Sequence, residues 1–369
     1  MAWRIRCEEE DPWYKEVAAR NQTTPIMSRI HYFQRYSQRE NVITNNTLLL
    51  LGRLYQYRPV LLESVLNTVL AGDDEANQIT VGITMKQQDR GSTGGIPDGV
   101  LDQQSLRVLI ETKRGTDFGR TQIMGHVKRM GDSKRPFLIM LGKELLPSAD
   151  LEDIRKEVAA ERSDAIVVNT TFDKIIKAVD EELDEWEQEI RELLEDYREY
   201  CSGEHLLPDE YSLRAVLCGK TITENIKFGV YYNRVGRNYA DHTYLGLYDN
   251  KAVRALGKVL KVFSADIGQK DTMELVDTLK GDPPTQTELD LITEVMKDAV
   301  DNPGYDIRMG HRFYLVDSFY PTEFTKDSKY PMMHTQFFDL REYLSLPSGN
   351  LPSTEQIANQ LRGKKWSDS

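Results

Sequence analysis

The sequence predicts an α/β protein, and three observations carry that prediction. Apolar residues recur at helical spacing from Asn41 to Leu70, with a break near Arg58-Pro59. Short apolar runs bounded by turn residues follow, the most continuous being Val108-Leu109-Ile110, Phe137-Leu138-Ile139-Met140-Leu141 and Ile166-Val167-Val168. Helical stretches separate them, so the order reads helix, three strands, helix, strand, helix, strand, an arrangement that builds layers of helices on a sheet.

The stretch from Met1 to Gln38 is polar and aromatic, carrying Trp3, Trp13, Tyr14, Tyr32, Phe33 and Tyr36, and reads as a peripheral cap or a partner-binding arm. Proline removes a donor and restricts its neighbour, so Arg58-Pro59 divides the first helical stretch into two. Between Gln78 and Gln87, Ile79, Val81, Ile83 and Met85 alternate with polar or small residues, a strand signal. Gly91 to Gly95 is a polar loop suited to admitting a substrate or a metal. A strand pair then carries Asp98 and Glu111, a helix runs from Arg120 to Met130, and a second helix begins at Asp150.

From Thr171 to Tyr200 the residues Ile176, Val179, Leu183, Trp186, Ile190, Leu193 and Tyr197 recur in steps of three and four, with acids between them. This is a heptad seam, and residues 171–203 are expected to form one long acidic helix that pairs with its copy or packs on its own chain as a strut. Cys201-Ser202-Gly203 ends it, and Leu207-Pro208 marks a domain boundary. Residues 204–345 are expected to be mostly β, a small barrel, because Phe228, Val230, Tyr231, Tyr232, Tyr239, Tyr244, Leu245 and Tyr248 crowd between turn signals. A helix is expected from Gln286 to Val300 and a strand over His311–Asp317. Residues 346–369 read as a loosely ordered tail.

At 369 residues, two domains, 1–170 and 204–345, are the natural expectation. The net charge of −12 argues against a protein that coats nucleic acid by bulk attraction. Between Glu111 and Arg135, however, bases outnumber acids, and Arg114, Arg120, Lys128 and Arg129 supply a rim for a phosphate substrate. Cys7, Cys201 and Cys218 lack metal-ligand spacing and read as free thiols. The acidic N-terminus lacks the apolar core of a signal peptide and no apolar run spans a bilayer, so a cytoplasmic protein without membrane contact is expected.

The chemistry gathers around Gly94-Gly95-Ile96-Pro97-Asp98-Gly99-Val100 and Ser105-Leu106-Arg107-Val108-Leu109-Ile110-Glu111-Thr112-Lys113. On a strand, Glu111 and Lys113 share a face while Thr112 points the other way, and a hairpin through Asp102-Gln103-Gln104 sets Asp98 beside them. Two carboxylates beside an ammonium suit a hard divalent cation and a phosphodiester.

Pro97-Asp98 followed by Glu111-Thr112-Lys113 at the end of an apolar strand resembles the PD-(D/E)xK nuclease superfamily. Glu40-Asn41-Val42-Ile43-Thr44 before the run Leu48–Leu61 resembles its opening helix, and Thr121-Gln122-Ile123-Met124-Gly125-His126 sits where many members carry a glutamine on the next helix. One branch has a tyrosine four residues after that glutamine; this chain has His126, so the position does not carry an exonuclease assignment. A lone histidine is more often structural. The resemblance implies a restriction-endonuclease-like α-β-β-β-α-β core and a Mg²⁺-dependent endodeoxyribonuclease, with Mn²⁺ able to substitute. Glu40, Asp98 and Glu111 would ligate the metal, Lys113 would position the water, and Gln122 would support the site; Glu63 is an alternative to Glu40. It also implies DNA as partner and a place among prokaryotic restriction or antiphage defence enzymes, where a homodimer through residues 171–200 would make a double-strand cutter.

The second half faintly resembles PUA-like barrels over Tyr244–Tyr248 and Lys251–Gly257. That likeness implies a pocket of Tyr231, Tyr232, Arg234, Arg237 and Tyr244, with Arg254 near it, that reads a DNA feature, a modified base or a nucleotide signal, a nucleotide or protein serving as activator; the other reading is tyrosines that fill the core and shell of a barrel. The alternative reading is a nucleic-acid-binding or dimeric interaction module that keeps the nuclease fold without cutting.

Overall fold

The computed structural model describes residues 32–33, 39–71, 79, 84–87, 99–102, 106–131, 135–184, 186–208, 210–268, 273–302, 304–344 and 352–368. The chain divides into two units, residues 1–32, of which Tyr32 alone is described, and residues 33–369. The second unit holds every element below.

Helix α1 (Arg39–Tyr57) stops at Arg58, and Pro59 opens α2 (Pro59–Ala71), where a missing N–H is harmless because first-turn donors have no intrahelical partner. Strands β1 (Thr84–Gln87), β2 (Gly99–Asp102) and β3 (Leu106–Thr112) form an antiparallel meander. Helix α3 (Arg120–Lys128) leads to β4 (Arg135–Gly142), and α4 (Ser148–Glu161) to β5 (Ile166–Thr171); β3, β4 and β5 run parallel, giving a five-stranded mixed sheet. Its two faces follow strand alternation. Val108, Ile110, Phe137, Ile139 and Leu141 face α1, α2 and two later helices. Leu109, Leu138, Met140 and Val167 face α3 and α4. The protein is therefore mixed α/β, with helices on both sides of this sheet.

The heptad stretch departs from expectation. It forms two helices, α5 (Phe172–Glu182) and α6 (Gln188–Gly203), with Leu183 extended between them. The exposed ends are satisfied locally: Arg191 donates to the Leu183 and Asp184 carbonyls and pairs with Asp180, while Glu187 accepts from the Asp184 N–H at 2.8 Å. Ile176, Val179, Leu183, Ile190, Leu193 and Tyr197 are all buried in the core beneath the sheet, and only Trp186 of the seam is exposed. The seam is spent on the chain's own core, the second of the two expected packings, and the single long helix is corrected to two.

The second sheet has eight strands. They are β6 (Ser212–Leu217), β7 (Val230–Arg234), β8 (Tyr244–Asp249), β9 (Ala252–Ile267), β10 (Met273–Lys280), β11 (His311–Val316), β12 (Tyr320–Thr325) and β13 (Gln336–Asp339). The order is β13-β6-β8-β9-β11-β7, with β10 and β12 also on β9. No pairing among the described residues joins β13 to β7, so the expected barrel is an open sheet. The 16 residues of β9 serve four neighbours because its two halves pair separately. Helix α7 (Ile222–Phe228) replaces the start of the strand-rich run and ends at Gly229, whose φ of 66° suits a residue without Cβ. Helix α8 (Gln286–Asp301) starts at a capping box of Thr285 and Glu288.

The C-terminal stretch is also structured where it is described. After α9 (Leu340–Tyr343) comes α10 (Thr354–Leu361), opened by a capping box of Ser353 and Gln356, with Ile357, Ala358 and Leu361 fully buried. The loosely ordered reading of the tail is corrected for residues 352–368; the S-x-x-Q pattern ahead of two apolar residues one turn apart was the available signal. No described helix is long and apolar enough to cross a membrane.

Candidate active site

At the end of β3, Glu111 and Thr112 send their side chains to opposite faces, and Lys113, just past the strand, joins Glu111. Thr112 turns toward α1 and its Oγ1 lies 2.6 Å from that of Thr44, one helical turn after Glu40. Glu111 turns the other way, under α3. Its Oε2 is 2.8 Å from Nε2 of His126, and its Oε1 is 3.1 Å from Nζ of Lys113. The Lys113 N–H bonds the Leu141 carbonyl at 2.9 Å, so the lysine backbone is still sewn to β4.

Burial explains this geometry. Glu111 and His126 are both fully buried, and an uncompensated carboxylate in such surroundings is costly. One ammonium and one imidazole N–H supply the compensation. With Glu111 ionised, Nε2 carries the proton and donates, which leaves Nδ1 buried with no hydrogen-bond partner among the described residues. The Lys113 contact is ionic and not a directed hydrogen bond, so Oε1 keeps acceptor capacity. A buried hard oxygen with a spare lone pair fits a Mg²⁺ ligand. His126, donating from Nε2, fits a positioning role instead.

The other expected site residues fall into three groups. Gln122 is half-buried on the first turn of α3, on the same face as His126. Asp98 lies outside the described residues, as does the side chain of Glu40, although Glu40 is the second residue of α1. Gly99, next to Asp98 in the chain, pairs with Ile110, next to Glu111. Glu63 is half-buried on α2. Among the described residues no three His, Cys, Asp or Glu side chains meet to hold a metal.

Of the basic rim, Lys128 is exposed, whereas Arg114 is bound to Glu204, its Nη2 2.7 Å from the carbonyl, and Arg120 lies 2.6 Å from Glu157. Arg129 is half-buried and its carbonyl accepts from Arg107. Two of the four bases thus already have acidic neighbours.

The five residues expected to form a second pocket do not come together. Tyr231 and Tyr232 alternate across β7 into separate cores, Tyr244 lies in a third, and Arg234 and Arg237 are exposed. Period-two alternation forbids neighbouring tyrosines from sharing a wall. Arg254 is tied to Glu323 at 3.0 Å. Cys201 and Cys218 are free and buried, and burial pushes the Cys218 thiol up to about 12, so neither is a ready nucleophile.

Sequence reasoning passed over His126 as a site member. Its only signal was its place four residues after Gln122. Set against family models, curated proteins and solved structures, the chain finds no significant match in any of the three.

Proposed function

We propose that this chain is a metal-dependent nuclease acting on DNA, with residues 39–171 as its catalytic part and the β-rich half as its sensor. The observation that carries the reading is the buried Glu111 beside Lys113 at the end of β3, with Oε1 of the carboxylate left able to accept. Supporting it is the order of elements around that pair: a helix, an antiparallel meander, a helix and a parallel strand. That order accords with a restriction-endonuclease-like core.

Glu111, with Asp98 and Glu40, would hold Mg²⁺. The ion would supply Lewis-acid polarisation of the scissile phosphate. Lys113 brings an ammonium to the reacting region, where it neutralises charge gathering on phosphate oxygens and orients a water. His126 donates to Glu111 Oε2 and keeps the carboxylate turned toward Lys113, and Gln122 on the same helix face offers an amide to water or backbone phosphate. Restriction or antiphage defence is the biological role this activity suits.

The test is cleavage of supercoiled plasmid, linear duplex and single-stranded DNA in Mg²⁺ and then Mn²⁺, beside Lys113→Ala and Asp98→Ala. Metal-dependent cutting lost in both variants supports the reading; cutting that survives both refutes it. Full burial of Glu111 favours a second reading, a nucleic-acid-binding module that retains the fold without cutting. DNA binding with no cleavage in either metal would select it.

A further inference from the structure

A cleft open to solvent lies where α5 and α6 meet the second sheet. Arg198 from α6 and Phe337 from β13 line it, with Tyr211 and the acids Asp173, Asp241 and Asp339. The acids have cationic neighbours of their own. Asp173 pairs with Lys177 at 3.4 Å, Asp241 with Lys280 at 2.8 Å, and Asp339 with Arg341, whose Nε lies 2.9 Å away.

Arg198 is different. It is 7 % exposed, its guanidinium lies 4.5 Å from the centre of the Phe337 ring, and it makes no hydrogen bond among the described residues. It forms a long ion pair with Asp173, at 4.0 Å, and shares that carboxylate with Lys177. A buried guanidinium with unfilled donors is costly unless an anion completes it.

Behind Phe337 the same imbalance continues. Arg214 is 5.8 Å from that ring, and both Arg214 and Arg312 are buried with no carboxylate within ion-pair distance among the described residues. Arg214 bonds the Tyr314 hydroxyl at 3.0 Å and the Asn238 carbonyl; Arg312 bonds the carbonyls of Val235 and Arg237; Nε of each is unpartnered. Burial pushes the Tyr314 phenol up, but the two guanidiniums outweigh it and hold it below its ordinary value. Three buried arginines therefore lie along one seam whose mouth is this cleft.

We infer that the cleft binds a nucleoside phosphate, with the Arg198 fork on the phosphate and the Tyr211 and Phe337 rings against the base. The fork matches two phosphate oxygens, and a planar base stacks on an aromatic face whatever its identity. The paired acids remain able to accept from ribose hydroxyls. Because helices of the first sheet form one wall and strands of the second the other, the ligand bridges the two. The inference rests on the sensor half of the proposed function and is independent of cleavage.

Isothermal titration of the full chain with AMP, GMP, CMP, UMP and their triphosphates is the test, beside adenosine, inorganic phosphate and a single-stranded oligonucleotide. At least one nucleotide is expected to bind in the micromolar range, with nucleoside or phosphate alone at least tenfold weaker. Arg198→Met should weaken binding tenfold or more, Arg198→Lys less, and Tyr211→Ala several-fold, each checked by circular dichroism for a native fold. Absence of binding by every nucleotide overturns the inference. So does binding that folded Arg198→Met and Tyr211→Ala both leave unchanged, or Arg198-dependent binding of the oligonucleotide alone.

Discussion

Glu111 Oε2 and His126 Nε2 lie 2.8 Å apart, both fully buried, joining the last turns of a strand and a helix 15 residues apart in sequence. The bond ties the acid of the candidate site to the helix that carries Gln122. Among the described residues the imidazole has no hydrogen-bond partner on its other nitrogen.

Replacing His126 by Phe keeps an aromatic ring but removes the donor, leaving the carboxylate with Lys113 alone. A hydrogen bond to a charged group contributes about 1.5–3 kcal/mol. His126→Phe should lose about that much stability by urea unfolding, and His126→Gln, which restores an N–H donor, should recover part of it. Equal stability of the Phe variant and wild type would show that the bond carries no weight.

Arg191 holds the break between α5 and α6 by serving two carbonyls and Asp180. Arg191→Ala leaves the buried Leu183 carbonyl without this donor, at a cost of about 1–3 kcal/mol before relaxation and water entry, and removes the half-buried contacts to the Asp184 carbonyl and Asp180. A fall of at least about 2 kcal/mol in unfolding free energy is expected. By contrast, Trp186→Ala, at an exposed position of the former seam, should change stability by less than about 0.5 kcal/mol.

His242 is fully buried, its Nδ1–H donating to the Ala240 carbonyl at 2.8 Å. Burial first, then the neighbouring Arg214, holds its imidazole well below the ordinary histidine range. The folded state thus takes up its proton at lower pH than the unfolded state does. Stability from this group is fully present above about pH 6.5 and is lost as pH falls below it. Urea midpoints measured from pH 8 down to pH 5 should fall, and His242→Leu should flatten that slope.

Gly257 in β9 sits where a Cβ would come within 2.9 Å of Val316 and 3.0 Å of the Ser318 carbonyl. The backbone of the β11–β12 connection approaches too closely for any side chain. Gly257→Ala should destabilise by about 1–3 kcal/mol through overpacking. A midpoint equal to wild type in thermal unfolding would mean the connection moves freely aside.

Much of the architecture was readable before any coordinates. The break at Arg58-Pro59, the strand through Val108–Ile110, the helix from Gln286 and the strand from His311 follow from local rules that act within a few residues. Arg214 and Arg312 offered a further signal, since an arginine inside an otherwise apolar strand run must find a special environment, yet neither was singled out. The capping box at Ser353 was a local signal of the same strength and would have placed α10.

What the sequence by itself determined is therefore local: which stretches form helices and strands, and that Glu111 and Lys113 share a face because strand side chains alternate. Tertiary packing alone decided which partners those faces meet. It set His126 under Glu111, because α3 crosses that face of the sheet, and it drew the heptad seam of residues 171–203 into the chain's own core. It also brought Arg198 to Phe337, 139 positions apart, across the seam between two sheets. Periodicity records that a face is apolar or charged; contact order along the chain carries no mark of what will cover it, since burial is a property of the assembled layers.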